Sequence, residues 1–214
     1  MLTQPVHAIR APRLLDRPLM RSEDRSAGWL PATQGAGPLL QRDYWAVFER
    51  CALKPSELMA HVKSHFCELP PASLVHFDAP DGLRCGAELD IRIRPAQSCR
   101  VRVLHEDSQT ITLGTLPGHP EAGRITFGAY RNPAGAVVFH IRSRARSATV
   151  SKRVGFLAIG DAMQTNTWTD FINSTAASVG ARITGAIRAE TAEVEEVPED
   201  DDPAGAPTFG AVGD

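Results

Sequence analysis

AVVFHIRSRARSATVSKRVGFLAIGDAMQTNTWTDFINSTAASV, residues 136–179, changes its hydrophobic period once, and the change decides the fold. In the first part Val137, Phe139 and Ile141 alternate with Val138, His140, Arg142 and Arg144. That period of two predicts a strand with one buried face. From about Ser147 the recurrence moves to three and four, through Val154, Leu157, Asp161, Gln164, Trp168, Phe171, Thr175 and Val179. Residues so spaced share one side of a long helix. Asp161 and Gln164 interrupt the apolar stripe, so the space under the helix is expected to be part core and part pocket.

Upstream of this stretch the chain reads as a meander. Leu89, Ile91 and Ile93 alternate with Asp90, Arg92 and Arg94; Val101 and Val103 alternate with Arg100 and Arg102; Ile111, Leu113, Ile125 and Phe127 follow in two further runs. At least five consecutive strands joined by turns predict an antiparallel sheet with an oily face and an arginine-bearing face. The oily face must be covered, and only the helix after Ser147 is long enough to do it. The expectation is an α+β fold, a curved antiparallel sheet of six or seven strands wrapped around a C-terminal helix.

The segment DYWAVFERCAL, residues 43–53, satisfies a helix or a strand, and its Tyr, Trp, Val and Phe favour the strand. Pro55 then opens a short helix with Leu58, Met59, Val62 and Phe66 on its buried side. Residues 1–38, with five prolines and no sustained period, read as a flexible or loosely draped arm. Residues 39–189 form the domain. Residues 190–214 hold nine of the 25 acids and none of the 23 Lys and Arg, so they read as an acidic disordered tail. The remaining body is basic, which makes the arginine face a possible dock for the tail itself.

No apolar run reaches the ~18–20 residues of a membrane helix. The first thirty residues carry five arginines without the apolar centre of a secretory signal, and the four cysteines have no paired spacing. A cytoplasmic protein with reduced thiols is expected, with no membrane partner. The arginine face lacks the interleaved aromatics that single-stranded nucleic acid prefers, which argues against a nucleic-acid partner.

TLGTLPGHPEAGRITFGAY (112–130), VVFHIRSRARS (137–147) and GDAMQTNTWTDFI (160–172) together resemble an uncharacterised, mostly bacterial family, domain of unknown function number nineteen-ninety. That family is similar to the START, birch-pollen-allergen and polyketide-cyclase (SRPBCC) superfamily of helix-grip proteins. The resemblance covers about residues 40–190. It implies the order strand, helix, meander, long C-terminal helix, and it implies strand for residues 43–53. Many members of the superfamily hold a hydrophobic small molecule between sheet and helix, and some catalyse cyclisation or hydrolysis there. No activity follows from the family itself.

Three readings follow. In the first, a small apolar molecule sits between sheet and helix, near Tyr130, His140, Gln164 and Trp168; a cavity of ~300 Å³ or more would support it and a solid core would reject it. In the second, an enzyme of cyclase or hydrolase type works in that cavity, with His119 exchanging a proton, Glu121 orienting it or acting as base, and Asp161 as an acid. The shaped segment Gly114–Arg124 would close one end, although the same residues also serve simply to fix an irregular loop. In the third, the arginine face is an interaction module. His61 and His65 stand four apart on a helix, yet no third and fourth metal ligand have recognisable spacing. GxGxxG, GxxxxGK[ST] and GxSxG are absent, so neither metal nor cofactor is expected.

Overall fold

The structure, a computed structural model, describes residues 28–95, 97–149 and 153–195; for residues 153–163 it describes the backbone alone. Strands β1 (Ala36–Glu49), β2 (Val75–Asp78), β3 (Glu88–Ile93), β4 (Gln97–Glu106), β5 (Thr110–Thr115), β6 (Glu121–Arg131), β7 (Val137–Ser147) and β8 (Arg182–Glu193) form one sheet. Its order is β2-β3-β4-β5-β6-β7-β1-β8, with every neighbouring pair antiparallel. Helix α1 (Pro55–Ser64) follows β1, and helix α2 (Arg153–Ser178) follows β7.

The inward residues of β3 to β7 are those the alternation selects. Leu89, Ile91, Val101, Val103, Ile111, Leu113, Phe127, Phe139 and Ile141 are all buried in one core with Tyr44, Ala46 and Phe48 of β1. Both helices lie against it. Pro55 starts α1 and the Glu57 carboxylate accepts the Lys54 N–H at 2.8 Å, which directs Leu58, Met59 and Val62 into the core. Just beyond α1, Phe66 meets Phe77 and Phe127 edge-on at 5.5 and 5.1 Å. From α2, Phe171 sits 5.3 Å from Phe127 and 6.1 Å from Phe139, with Ile172, Thr175 and Ala176 buried beside it. A long helix held in the hollow of a curved antiparallel sheet is the helix-grip arrangement.

The observed elements differ from the expected ones in four places. Among the described residues there are eight strands rather than six or seven. The extra one is β8, which follows the left-handed Gly180 (φ 65°) at the end of α2 and pairs with β1. Residues 190–193, assigned above to an acidic tail, are its last turn of pairing, while residues 196–214 lie outside the described residues. Strand β1 begins at Ala36, so residues 36–38 belong to the sheet and not to an arm. Residues 28–35 are tied down as well: Leu30 N–H donates to the Thr115 carbonyl at 2.7 Å and the Leu30 carbonyl accepts from Gly123 N–H at 3.0 Å. Residues 1–27 lie outside the described part.

The outer face is the fourth difference. Besides its arginines it carries a buried centre, in which Trp45, Tyr130 and Val138 form a second cluster. Trp29 and Leu104 crowd over Gly114 on this face, where an added Cβ would come within 2.9 Å of the indole. The arginines there are engaged. Arg100 and Arg102 pair with Glu88 at 2.8 and 2.6 Å, Arg142 with Asp43 at 2.7 Å, Arg144 donates to Gln41 and Arg146 to the Gly37 carbonyl. Arg92 and Arg94 remain exposed at the β2–β3 end.

Candidate functional site

A partly enclosed cavity of about 120 Å³ lies between the sheet and the middle of α2. Its walls are apolar: Phe77 from β2, Ile91 from β3, Val101 from β4, Leu113 from β5, Ile125 from β6 and Trp168 from α2. Its other end is polar and is made by the β5–β6 hairpin together with β7 and α2, through Thr115, His119, Glu121, Ser143 and Gln164.

The hairpin brings these groups in for a backbone reason. Gly123 has φ 152°, and an added Cβ would stand 2.2 Å from the Arg144 carbonyl oxygen. Only glycine permits that approach of β6 to β7. The Gly123 N–H is shared between the Thr115 hydroxyl and the Leu30 carbonyl, both at 3.0 Å. Two residues earlier, Glu121 faces inward opposite Ser147. His119 is pinned beside it: its Nδ1 is 3.0 Å from both the backbone nitrogen and the carbonyl oxygen of Glu121.

The Glu121 carboxylate is the hub. One oxygen is 3.4 Å from the Arg42 guanidinium, and the other accepts from Gln164 Nε2 at 2.8 Å. Arg42 is 3% exposed, a cation drawn fully into the interior by its partner. Two side-chain oxygens at this end have no hydrogen-bond partner although both are buried, Ser143 Oγ and Gln164 Oε1. Such atoms are rare in folded proteins and call for an explanation.

Of the residues singled out by sequence, His119, Glu121, Gln164 and Trp168 therefore meet around one cavity. The side chain of Asp161 lies outside the described part, its backbone one turn before Gln164 on α2. Tyr130 and His140 are corrections. Both belong to the outer face of the sheet, so the sheet itself separates them from the cavity. There Tyr130 Oη is 3.1 Å from His140 Nδ1, His140 Nε2 is 2.7 Å from Asp43 Oδ1, and Trp45 lies against the imidazole at 5.6 Å. Burial raises the Asp43 carboxyl pKa, but hydrogen bonds from His140 and Arg142 outweigh it and bring the value down to about 2. Burial pushes Tyr130 up to about 12, so its phenol stays protonated and serves as a donor.

Sequence reading missed Arg42, Ser143 and Thr115. Arg42 carried a signal, since it precedes Tyr44 by two and so shares its face once β1 is extended backward. Among the described residues no group of three His, Cys, Asp or Glu side chains stands where it could hold a metal ion. His61 instead contacts Ser178 Oγ at 2.9 Å and stacks on His65. No described helix is long and apolar enough to cross a membrane.

Among solved structures, the chain is similar to Ara h 8.0201, at 9% identity over 65% of this chain and 97% of that one, with a TM-score of 0.46. A norcoclaurine synthase point mutant from Thalictrum flavum, in complex with a transition-state analogue, gives 9% identity, 67% and 96% coverage and a TM-score of 0.49. Protein CV1439 from Chromobacterium violaceum gives 14% identity, 65% and 96% coverage and a TM-score of 0.43. No curated protein matches the chain. Residues 67–187 match the family described as "Domain of unknown function (DUF1990)". That span takes in β2 to β7, all of α2 and the first half of β8, more than half of the sequence, and the chain belongs to this family.

Proposed function

We propose that this protein is a small-molecule holder, with a mostly apolar ligand seated between the sheet and α2. The observation that carries this is the cavity: apolar on its walls, polar at one end, and only partly enclosed. Its 120 Å³ falls below the ~300 Å³ of ordinary ligand pockets, so the ligand is smaller than a drug-sized molecule. The enzyme reading has less support. Glu121 is already committed to Arg42 and Gln164, and His119 to the Glu121 backbone, so neither is poised as a free base. The interaction-module reading, with the acidic tail as occupant, is weakened by the engagement of most outer arginines within the fold.

Native mass spectrometry of freshly purified full-length chain, followed by titration with a small apolar fluorophore, tests the proposal. Trp168→Ala should weaken fluorophore binding, because the indole forms one wall. An apo mass together with no saturable fluorophore binding by the unaltered chain would remove the ligand-holder reading.

A further inference from the structure

The polar end of the cavity is specific about what it accepts, and on the footing of the ligand-holder reading its chemistry narrows the ligand class. The space is of the order of one ring, since a dry protein cavity of about 150 Å³ accommodates benzene. The ionised side chains lining the polar end are Glu121 and Arg124; Glu121 is offset by Arg42 behind it, and Arg124 is itself engaged. A carboxylate brought in would meet Glu121, and an ammonium would meet Arg124. Either arrives with a charge that must shed water and finds its natural partner taken.

What is lacking at this end is a neutral hydrogen-bonding group. Gln164 gives its Nε2 to Glu121 and keeps Oε1, an acceptor, without a donor. Ser143 keeps a hydroxyl, able to donate or accept, without any partner, and the residue is 5% exposed. It stands beside Arg42 in the β1–β7 register and beside Ile125 in the β6–β7 register, so polar end and apolar wall meet at it. As the chain stands neither oxygen is open to a water molecule. A ligand reaches them by a χ1 step of Ser143 and a pivot of the Gln164 amide on its bond to Glu121, both moves between ordinary rotamers.

We infer that the cavity takes an uncharged, single-ring molecule bearing a hydroxyl, of the phenol class, whose O–H donates to Gln164 Oε1 and whose oxygen accepts from Ser143. One small group then satisfies both orphaned atoms while the ring fills the apolar part.

The test uses the full chain and three probes of nearly equal ring size, phenol, benzene and benzoate, followed by ¹H–¹⁵N spectra. Phenol should move the amides of Ser143, Gln164 and Trp168 and bind about tenfold more tightly than benzene, a margin in line with one or two satisfied hydrogen bonds. Benzoate should move none of them. Ser143→Ala should remove most of phenol's advantage over benzene, and so should Gln164→Met, which serves if the serine variant does not fold. Equal affinity for phenol and benzene overturns the inference and leaves the ligand-holder reading standing. Benzoate binding as tightly as phenol likewise overturns it. Silence toward all three probes removes the cavity reading and this inference together.

Discussion

Asp43 is a carboxylate on the outer face that holds an imidazole and a guanidinium at the same oxygen, 2.7 Å from each. Its pKa lies near 2 in the folded chain against an ordinary 3.8, so its stabilising share is complete above about pH 4 and is lost as pH falls through 2. The loss should be about 2 kcal/mol, and urea unfolding at pH 7, 3 and 2 measures it. Asp43→Asn should be less stable at pH 7 and should flatten that acid limb. Inside the sheet the corresponding pair is Arg42 and Glu121. Arg42→Met leaves a buried carboxylate without its cation and should cost about 3 kcal/mol or more, with part recovered when Glu121→Gln is added. Residue types were legible in the sequence, but faces were less so. A period of two tells which residues lie together, not which side they look to. Tyr130 and His140 were expected beside the ligand, and the structure puts both on the other face of the sheet. They make a hydrogen bond to each other on the far side.

Among the elements, the β5–β6 hairpin and β8 show what pattern can and cannot reveal. The hairpin announces itself through Pro117, Gly118, Pro120 and Gly123. Its two φ-positive glycines nevertheless do different things. At Gly118 (φ 95°) nothing lies within 4 Å of an added Cβ, so Gly118→Ala should cost about 1–2 kcal/mol from backbone strain alone. Gly123→Ala would drive a methyl into the β7 backbone and should cost about 3 kcal/mol or more, together with the β6–β7 register. Thermal melts, and amide exchange across β7, separate the two outcomes. Strand β8 was illegible because almost all of it faces water, and Gly185 at φ 71° interrupts the little alternation it has. What makes it a strand is its ladder to β1, and backbone hydrogen bonds leave no mark on side-chain pattern. A chain ending at Ala181 should expose the edge of β1 and self-associate, which light scattering would detect.

At the scale of the molecule, the plan of one oily sheet face closed by the last long helix was readable because burial obliges it. The size of the cavity was not, since volume is what remains after side chains interdigitate, and no tally of residue types yields that. All four cysteines are free, so melting temperature should be the same with and without reductant. Strand order carries a further consequence. Strand β1 brings Tyr44, Trp45 and Phe48 to the sheet, yet its two neighbours are β7 and β8. About 90 residues must be synthesised after β1 before β7 begins, roughly five to twenty seconds at ordinary translation rates. Closure over such sequence distances is intrinsically slow. The most aromatic strand of the sheet is thus the first of its strands to leave the ribosome and the last to be sealed.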